Sequence, residues 1–265
     1  MNIFETKHKE ERKILERFLS ISVNNDDEIF DIFKNLPNAT YRQGERPNER
    51  FVYIRGTRDD KVLLVAHADT VWDKNWIGED EKYTQKLGYS FGIYYNKNSF
   101  LDFGIGADDR AGCAILYLLR NSGHSILIVD GEEHCQVGSK FLKNANKDIF
   151  DEINNHCYAL QFDRRNKRDY KCYNIPVEAN FKEFIEKNLE FSDAGKNSKT
   201  DIVVLCDKIC GANLSVGYYN EHTRLECLDY KDWLKNYINI SQMLENKQIQ
   251  FNLNNLDKEE EDLSK

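Results

Sequence analysis

No run of eighteen uncharged apolar residues occurs anywhere in the 265-residue chain, and about that many are needed for a helix to cross a hydrocarbon layer. The first residues, Met1 to Arg12, are charged and lack the apolar centre of a secretion signal. Neither a membrane partner nor export is expected, and the composition points to the cytoplasm. Basic charge is also in deficit, with 37 lysines and arginines against 45 aspartates and glutamates, for a formal net charge of −8. Half of that excess lies in the run Asp257, Lys258, Glu259, Glu260, Glu261 and Asp262, so the remainder is only mildly acidic. Without a basic stripe to neutralise phosphates, nucleic acid is not an expected partner. A disulfide framework is missing as well. The seven cysteines, Cys113, Cys135, Cys157, Cys172, Cys206, Cys210 and Cys227, are odd in number and mostly sit in apolar runs, which fits reduced thiols. Cys206 and Cys210 are four apart, but no second pair completes a zinc ribbon, and no internal repeat is visible.

What is present is a 40% hydrophobic content, enough for a substantial core, and a regular alternation of elements. Apolar residues at helical spacing predict helices over Lys9 to Leu19 and Asp27 to Leu36. Arg50 to Arg55 alternates like an exposed strand, and Lys61 to Ala66 is a continuous apolar run of the kind found in a covered sheet. Val71 to Phe103 reads as a hairpin or excursion rich in aromatics: Trp72, Trp76, Tyr83, Tyr89, Phe91, Tyr94, Tyr95 and Phe100. These either wall a pocket or pack a hairpin onto the domain. A helix follows over Arg110 to Arg120, with small residues on one side that permit close packing. Strands are expected at Ser125 to Val129, Tyr158 to Phe162, Asp201 to Leu205 and Ala212 to Val216. Further helices are expected from Gly138 and over Tyr230 to Glu245. The pattern implies an α/β fold of three layers with a mixed, largely parallel central sheet. Residues 1–247 form one catalytic domain in this reading, and 248–265 an acidic, disordered tail.

Parallel sheets place ligands at the carboxyl ends of their strands, and here those ends carry chemistry. The strand 61–66 runs into His67 and Asp69, two apart on one face of an extended chain. A metal-bound imidazole commonly has its other nitrogen fixed by a carboxylate, the place Asp69 could fill. The glycine-flanked turn Gly104-Ile105-Gly106-Ala107-Asp108-Asp109-Arg110-Ala111-Gly112 presents paired carboxylates, which either cap the following helix or meet a cation. Asp108 can offer one oxygen to each of two ions. Glu132 and Glu133 follow the strand 125–129, so that one could ligate while the other takes a proton from a water. Asp163 and His222 complete a set of carboxylates and imidazoles without sulfur. Such donors suit two zinc ions, with manganese or cobalt as possible replacements, about 3.5–4 Å apart.

His67-Ala68-Asp69-Thr70-Val71, Gly106 to Gly112, Asp130-Gly131-Glu132-Glu133 with Gly138-Ser139, Phe162-Asp163-Arg164 and the late His222 together resemble the five motifs of the co-catalytic di-zinc exopeptidase superfamily. Its members include aminopeptidases, tripeptidases, carboxypeptidases and N-acyl-amino-acid deacylases. The resemblance spans roughly residues 60–227. It implies that Asp108 bridges two zinc ions, that His67 and Asp163 hold one, and that Glu133 and His222 hold the other. It further implies that Asp69 orients His67 and that Glu132 is the general acid/base acting on a bridging water. Arg110 stands where lysine or asparagine is common, and His134-Cys135-Gln136-Val137 is an unusual wording. Only 58 residues separate Asp163 from His222, which favours a lid-less, single-domain form. The expected activity is amide hydrolysis on a peptide by an aminopeptidase or small-peptide exopeptidase. The alternatives are an amidohydrolase acting on an N-acyl amino acid, and a catalytically retired metal-binding regulatory module.

Overall fold

Uninterrupted apolar runs become the middle of an eight-stranded sheet in a computed structural model, which describes residues 7–72, 85–98 and 103–254. Among the described residues the first elements are α1 (Lys9–Leu19), α2 (Asp26–Lys34), β1 (Ala39–Gln43), β2 (Arg50–Ile54) and β3 (Leu63–His67). A hairpin of β4 (Leu87–Ser90) and β5 (Ile93–Asn96) leads to α3 (Ala107–Leu118), β6 (Ser125–Val129), α4 (Val137–Ala145) and α5 (Lys147–Ile153). Then come β7 (Ala159–Arg164), β8 (Asp169–Lys171), α6 (Ala179–Leu189), β9 (Ser192–Asp193) and α7 (Asp201–Leu205). The chain closes with β10 (Gly211–Ser215), β11 (Tyr218–Tyr219), β12 (Cys227–Asp229) and α8 (Tyr230–Glu245). The main sheet has the order β1-β2-β6-β3-β7-β10-β8-β9, with the β6, β3, β7 and β10 pairings parallel. A smaller antiparallel sheet has the order β11-β12-β5-β4.

Two cores explain why β3 and β6 carry uninterrupted apolar runs, Leu63 to Ala66 and Ile126 to Val129. Leu64, Ala66, Ile126 and Ile128 face a core shared with α1, α2, α3, α6 and α8. Leu63, Val65, Leu127 and Val129 face the other, closed by α4, α5 and α7. Each fully buried aliphatic side chain contributes about 1.5–3 kcal/mol, so burial on both faces drives these residues into the middle of the sheet. The small face of α3 sets its depth: a Cβ at Gly112 would lie 2.1 Å from the Phe162 carbonyl oxygen of β7. That contact brings the start of α3 beside the end of β7.

Several expectations change. The strand from Arg50 is not exposed: β2 lies between β1 and β6, and Phe51, Val52 and Tyr53 are buried. Its charged ends obscured this, because Arg50 lies 4.4 Å over the Phe30 ring and binds Asp26, Asp27 and Asp130. Asp201–Leu205 is a helix rather than a strand, since four apolar residues in succession satisfy either period and the neighbouring tertiary contacts decide. Fraying does not begin at Gln248. Phe251 is buried, with ring centroids 5.1 Å from Phe181 and Phe184 and 5.8 Å from Tyr158. The acidic run 257–262 and the aromatics Trp76, Tyr83 and Phe100 lie outside the described residues. Of the other aromatics, Tyr89 and Tyr94 pack together under Arg12, Trp72 packs with Phe103, and Phe91 is fully exposed at the hairpin turn. No described helix is long and apolar enough to cross a membrane.

One buried histidine ties stability to pH. His156 donates from Nδ1 to the Glu152 carbonyl and lies 2.7 Å through Nε2 from the Ser125 hydroxyl. Burial holds its pKa down at about 4, against an ordinary value of 6.5. The unfolded chain therefore takes up a proton near pH 6.5, whereas the native state does so only near 4, and stability falls as pH drops through that window. The full difference corresponds to about 3 kcal/mol. Urea unfolding at pH 7 and pH 4.5 should show a smaller acid loss in His156→Gln than in the wild type. Equal losses would remove His156 from the account.

Candidate metal centre

The strand ends deliver their side chains to one place. His67 closes β3 and is paired with Val129 of β6, so the Asp130-Gly131-Glu132-Glu133 turn emerges beside it. Asp163 lies in β7 on the other side of β3, opposite a register shift between Asn213 and Ser215 of β10. Side-chain bonds replace the ladder there: Asp163 N–H donates to Asn213 Oδ1 at 3.0 Å, and Asn213 Nδ2 donates to the Asp163 carbonyl at 3.1 Å. Asp108 and Asp109 precede the regular part of α3, with non-helical backbone at both positions. His222 sits in the loop between β11 and β12, its side chain 46% exposed.

Asp108 lies between two imidazoles. Its Oδ1 is 3.1 Å from His67 Nε2, and its Oδ2 is 3.2 Å from His222 Nε2. Each ring meets one further carboxylate: Asp163 Oδ1 at 3.3 Å from His67 Nε2, and Glu133 Oε1 at 2.7 Å from His222 Nε2. On its other side, His67 Nδ1 donates to the Asp69 carbonyl at 3.1 Å and lies 3.3 Å from Asp69 Oδ1. Asp69 also accepts from the backbone N–H groups of Glu132 and Glu133, both at 3.1 Å, and so fixes ring and turn together. Asp109 is different in kind. Its Oδ1 accepts from Gly112 N at 2.9 Å, three residues on, and its Oδ2 from His67 N at 3.3 Å. That is a helix cap joined to the strand end.

Electrostatics show what this donor set demands. With Nδ1 donating to Asp69, a neutral His67 would turn its Nε2 lone pair toward two carboxylate oxygens, a contact between acceptors alone. The His222 Nε2 lies between Asp108 and Glu133, where it serves as a donor when protonated and as a cation ligand when bare. At His67 a positive charge resolves the conflict, whether a proton or a metal ion. When protons do so, Asp163 and Asp108 hold the buried His67 imidazolium well above its ordinary pKa, and hydrogen bonds that Asp108 and Glu133 accept from His222 raise it to about 11. Burial and the charge of Asp163 push Glu132 up to about 10. Burial likewise raises Asp163 and Glu133, while the two imidazoles hold Asp108 low against its own burial. The clustered donors fit divalent cations: His67 with Glu132 and Glu133, His67 with Asp109 and Asp163, and Asp108 with Glu133 and His222 each converge within 4.8 Å.

Several supporting residues carry little signal in the sequence. Asp163 Oδ2 accepts from Gln161 Nε2 at 2.8 Å and Thr200 Oγ1 at 2.9 Å, and Asp201 behind them accepts from Ser139 at 2.6 Å. Thr200-Asp201 is only a weak pair in the sequence, and nothing there links Thr200 to Gln161 and Asp163, 39 and 37 positions upstream. Tyr218 OH lies 3.4 Å from Asp163 Oδ1, whereas Tyr219 OH is taken by Asp232. Arg110 is wholly buried and binds the Ala68 and Ser22 carbonyls, tying the β3 exit to the loop before α2.

No protein-family profile matches the sequence, and no curated protein matches it. Solved structures do match. The aminopeptidase PepT of Bacillus cereus aligns with a TM-score of 0.64 at 13% identity, covering 89% of this chain and 98% of that one. A tripeptidase of Staphylococcus aureus aligns at 0.60 and 12%, with 89% and 98% covered. An aminopeptidase of the archaeon Desulfurococcus kamchatkensis aligns at 0.59 and 11%, with 90% and 95% covered. The chain therefore has the α/β fold of these aminopeptidase and tripeptidase structures.

Proposed function

We propose that the chain is a metal-dependent exopeptidase, most simply an aminopeptidase of small peptides, with two divalent cations shared across Asp108. The observation that carries this reading is the division of the Asp108 carboxylate, one oxygen to each imidazole, with one further carboxylate on each ring. His67 and Asp163 would hold one cation, and Glu133 and His222 the other. Oxygen and imidazole donors without thiolate suit zinc, manganese or cobalt. When bound, such ions supply Lewis acidity, which polarises a carbonyl and acidifies a water.

The chain's own residues would do the rest. Asp69 fixes the His67 ring through Nδ1 and leaves Nε2 directed at the cluster. Its two bonds to the 132–133 backbone hold Glu132 and Glu133 at the same depth. Glu132 is the carboxylate not engaged by either imidazole, so it is free to take a proton from the attacking water and return it to the leaving amine. Its raised pKa belongs to the proton-filled cluster, and added positive charge nearby favours the ionised form that a base requires. The half-exposed His222 leaves the site open at the 220–225 side of the cluster.

The test is a panel of aminoacyl amides, tripeptides and N-acyl amino acids, run with zinc, manganese or cobalt. Hydrolysis of substrates with a free amino terminus is expected. Turnover confined to N-acyl amino acids would make the chain a deacylase. Bound metal without any hydrolysis would leave a binding module.

A further inference from the structure

The loop that carries His222 ends in a carboxylate outside the proposed ligand set. Glu226 is 1% exposed, and both of its oxygens are spent on the turn that presents Asp108. Its Oε2 accepts from Gly106 N at 2.7 Å, and its Oε1 from Asp108 N at 3.0 Å, across 120 and 118 residues of sequence. The approach is close enough that a Cβ on Gly104 would lie 2.1 Å from Glu226 Oε2 and 2.6 Å from Glu226 Cβ. Gly106 stands at φ +66° with its N–H turned onto the same carboxylate. The two glycines before Asp108 thus serve the contact with Glu226.

The same loop is closed at its base. Tyr218 and Tyr219 pair with Leu228 and Cys227, and Glu226 N–H donates to the Thr223 carbonyl at 3.0 Å. His222 therefore projects from a loop whose returning arm is fastened to the backbone of Asp108 itself. Each of the two backbone N–H groups has a Glu226 oxygen of its own to donate to. A glutamine there has one accepting oxygen, and its NH₂ would oppose the second N–H.

We infer that Glu226 is a positioning residue that sets the separation of Asp108 from His222 and so completes the cation position shared by Asp108, Glu133 and His222. The position at His67 and Asp163 depends on it less, because those two side chains are held by Asp69, Gln161, Thr200 and Asn213 instead. The inference rests on the two-cation reading above.

The test is stepwise titration of the metal-free protein with Co²⁺, followed by visible absorption and calorimetry, on the wild type, Glu226→Gln and Gly104→Ala. Circular dichroism and thermal unfolding without metal report the fold. The expected result is a folded Glu226→Gln that binds its first ion within about threefold of wild-type affinity and its second at least tenfold more weakly. Gly104→Ala, which crowds the same contact from the other side, should lose the second ion in the same way. The double variant should be no worse than the worse single one. If Glu226→Gln does not fold, Gly104→Ala decides. Two ions bound by the variants with wild-type affinities would overturn the role of Glu226. Equal weakening of both ions would reduce Glu226 to a support for Asp108 and overturn the link to His222. A wild type that binds fewer than two ions would instead count against the two-cation reading itself.

Discussion

The Glu132→Gln variant is expected to bind two cations as the wild type does and to turn substrate over about 10³-fold more slowly, within the range general acid/base groups contribute. Glutamine keeps the shape of the side chain and leaves the backbone N–H on Asp69 undisturbed. What it cannot do is accept and return a proton. Metal content should survive because each imidazole already has its carboxylate partners: Asp108 and Asp163 on His67, and Asp108 and Glu133 on His222. Steady-state kinetics at saturating metal, with metal analysis of the same samples, checks both halves. Glu133→Gln is the natural comparison. It should lose one ion, because its Oε1 lies 2.7 Å from His222 Nε2. If Glu132→Gln loses an ion while Glu133→Gln keeps both, the two glutamates have exchanged roles.

Asp108→Ala is the second large effect. In the proposed arrangement both cation positions share this carboxylate, so binding of each ion should weaken by more than about a hundredfold, beyond the loss typical of an outlying partner. Its neighbour should behave differently. Asp109 spends both oxygens on backbone N–H groups, capping α3 and holding the His67 amide. Asp109→Ala should therefore cost roughly 2–4 kcal/mol of stability, from a lost cap and an unsatisfied buried N–H, while two ions still bind. Urea unfolding of the metal-free variants and metal titration separate the two effects. Equal loss of metal in both variants would mean that Asp109, which also converges with His67 and Asp163, is a ligand.

The strand ends of the site were legible for a physical reason. Strands buried on both faces are largely apolar, so the polar residues after Ala66, Val129 and Phe162 mark the carboxyl ends of the apolar runs. His67, Asp130 and Asp163 stand at those points. The helix over 230–245 was equally plain, from its 3.6-residue period. The segment 201–205, expected as a strand, is a helix, because four apolar residues in succession do not discriminate between periods. Nor could the supports of the site be read: Glu226 meets Gly106 and Asp108 across 120 and 118 residues, and Thr200 meets Asp163 across 37. Such bonds depend on how the sheet is wound, and a single polar side chain gives no periodic signal of its partner. The hairpin aromatics were ambiguous for the same reason, and of those described only Phe91 stands free of packing.

The central claim is that Asp108 joins two cation positions, and anomalous diffraction at the zinc absorption edge, from crystals grown with zinc, tests it most directly. The account predicts two peaks per chain flanking the Asp108 carboxylate, one toward His67 and Asp163 and the other toward Glu133 and His222. A single peak, or peaks that leave the Asp108 carboxylate unengaged, would contradict it.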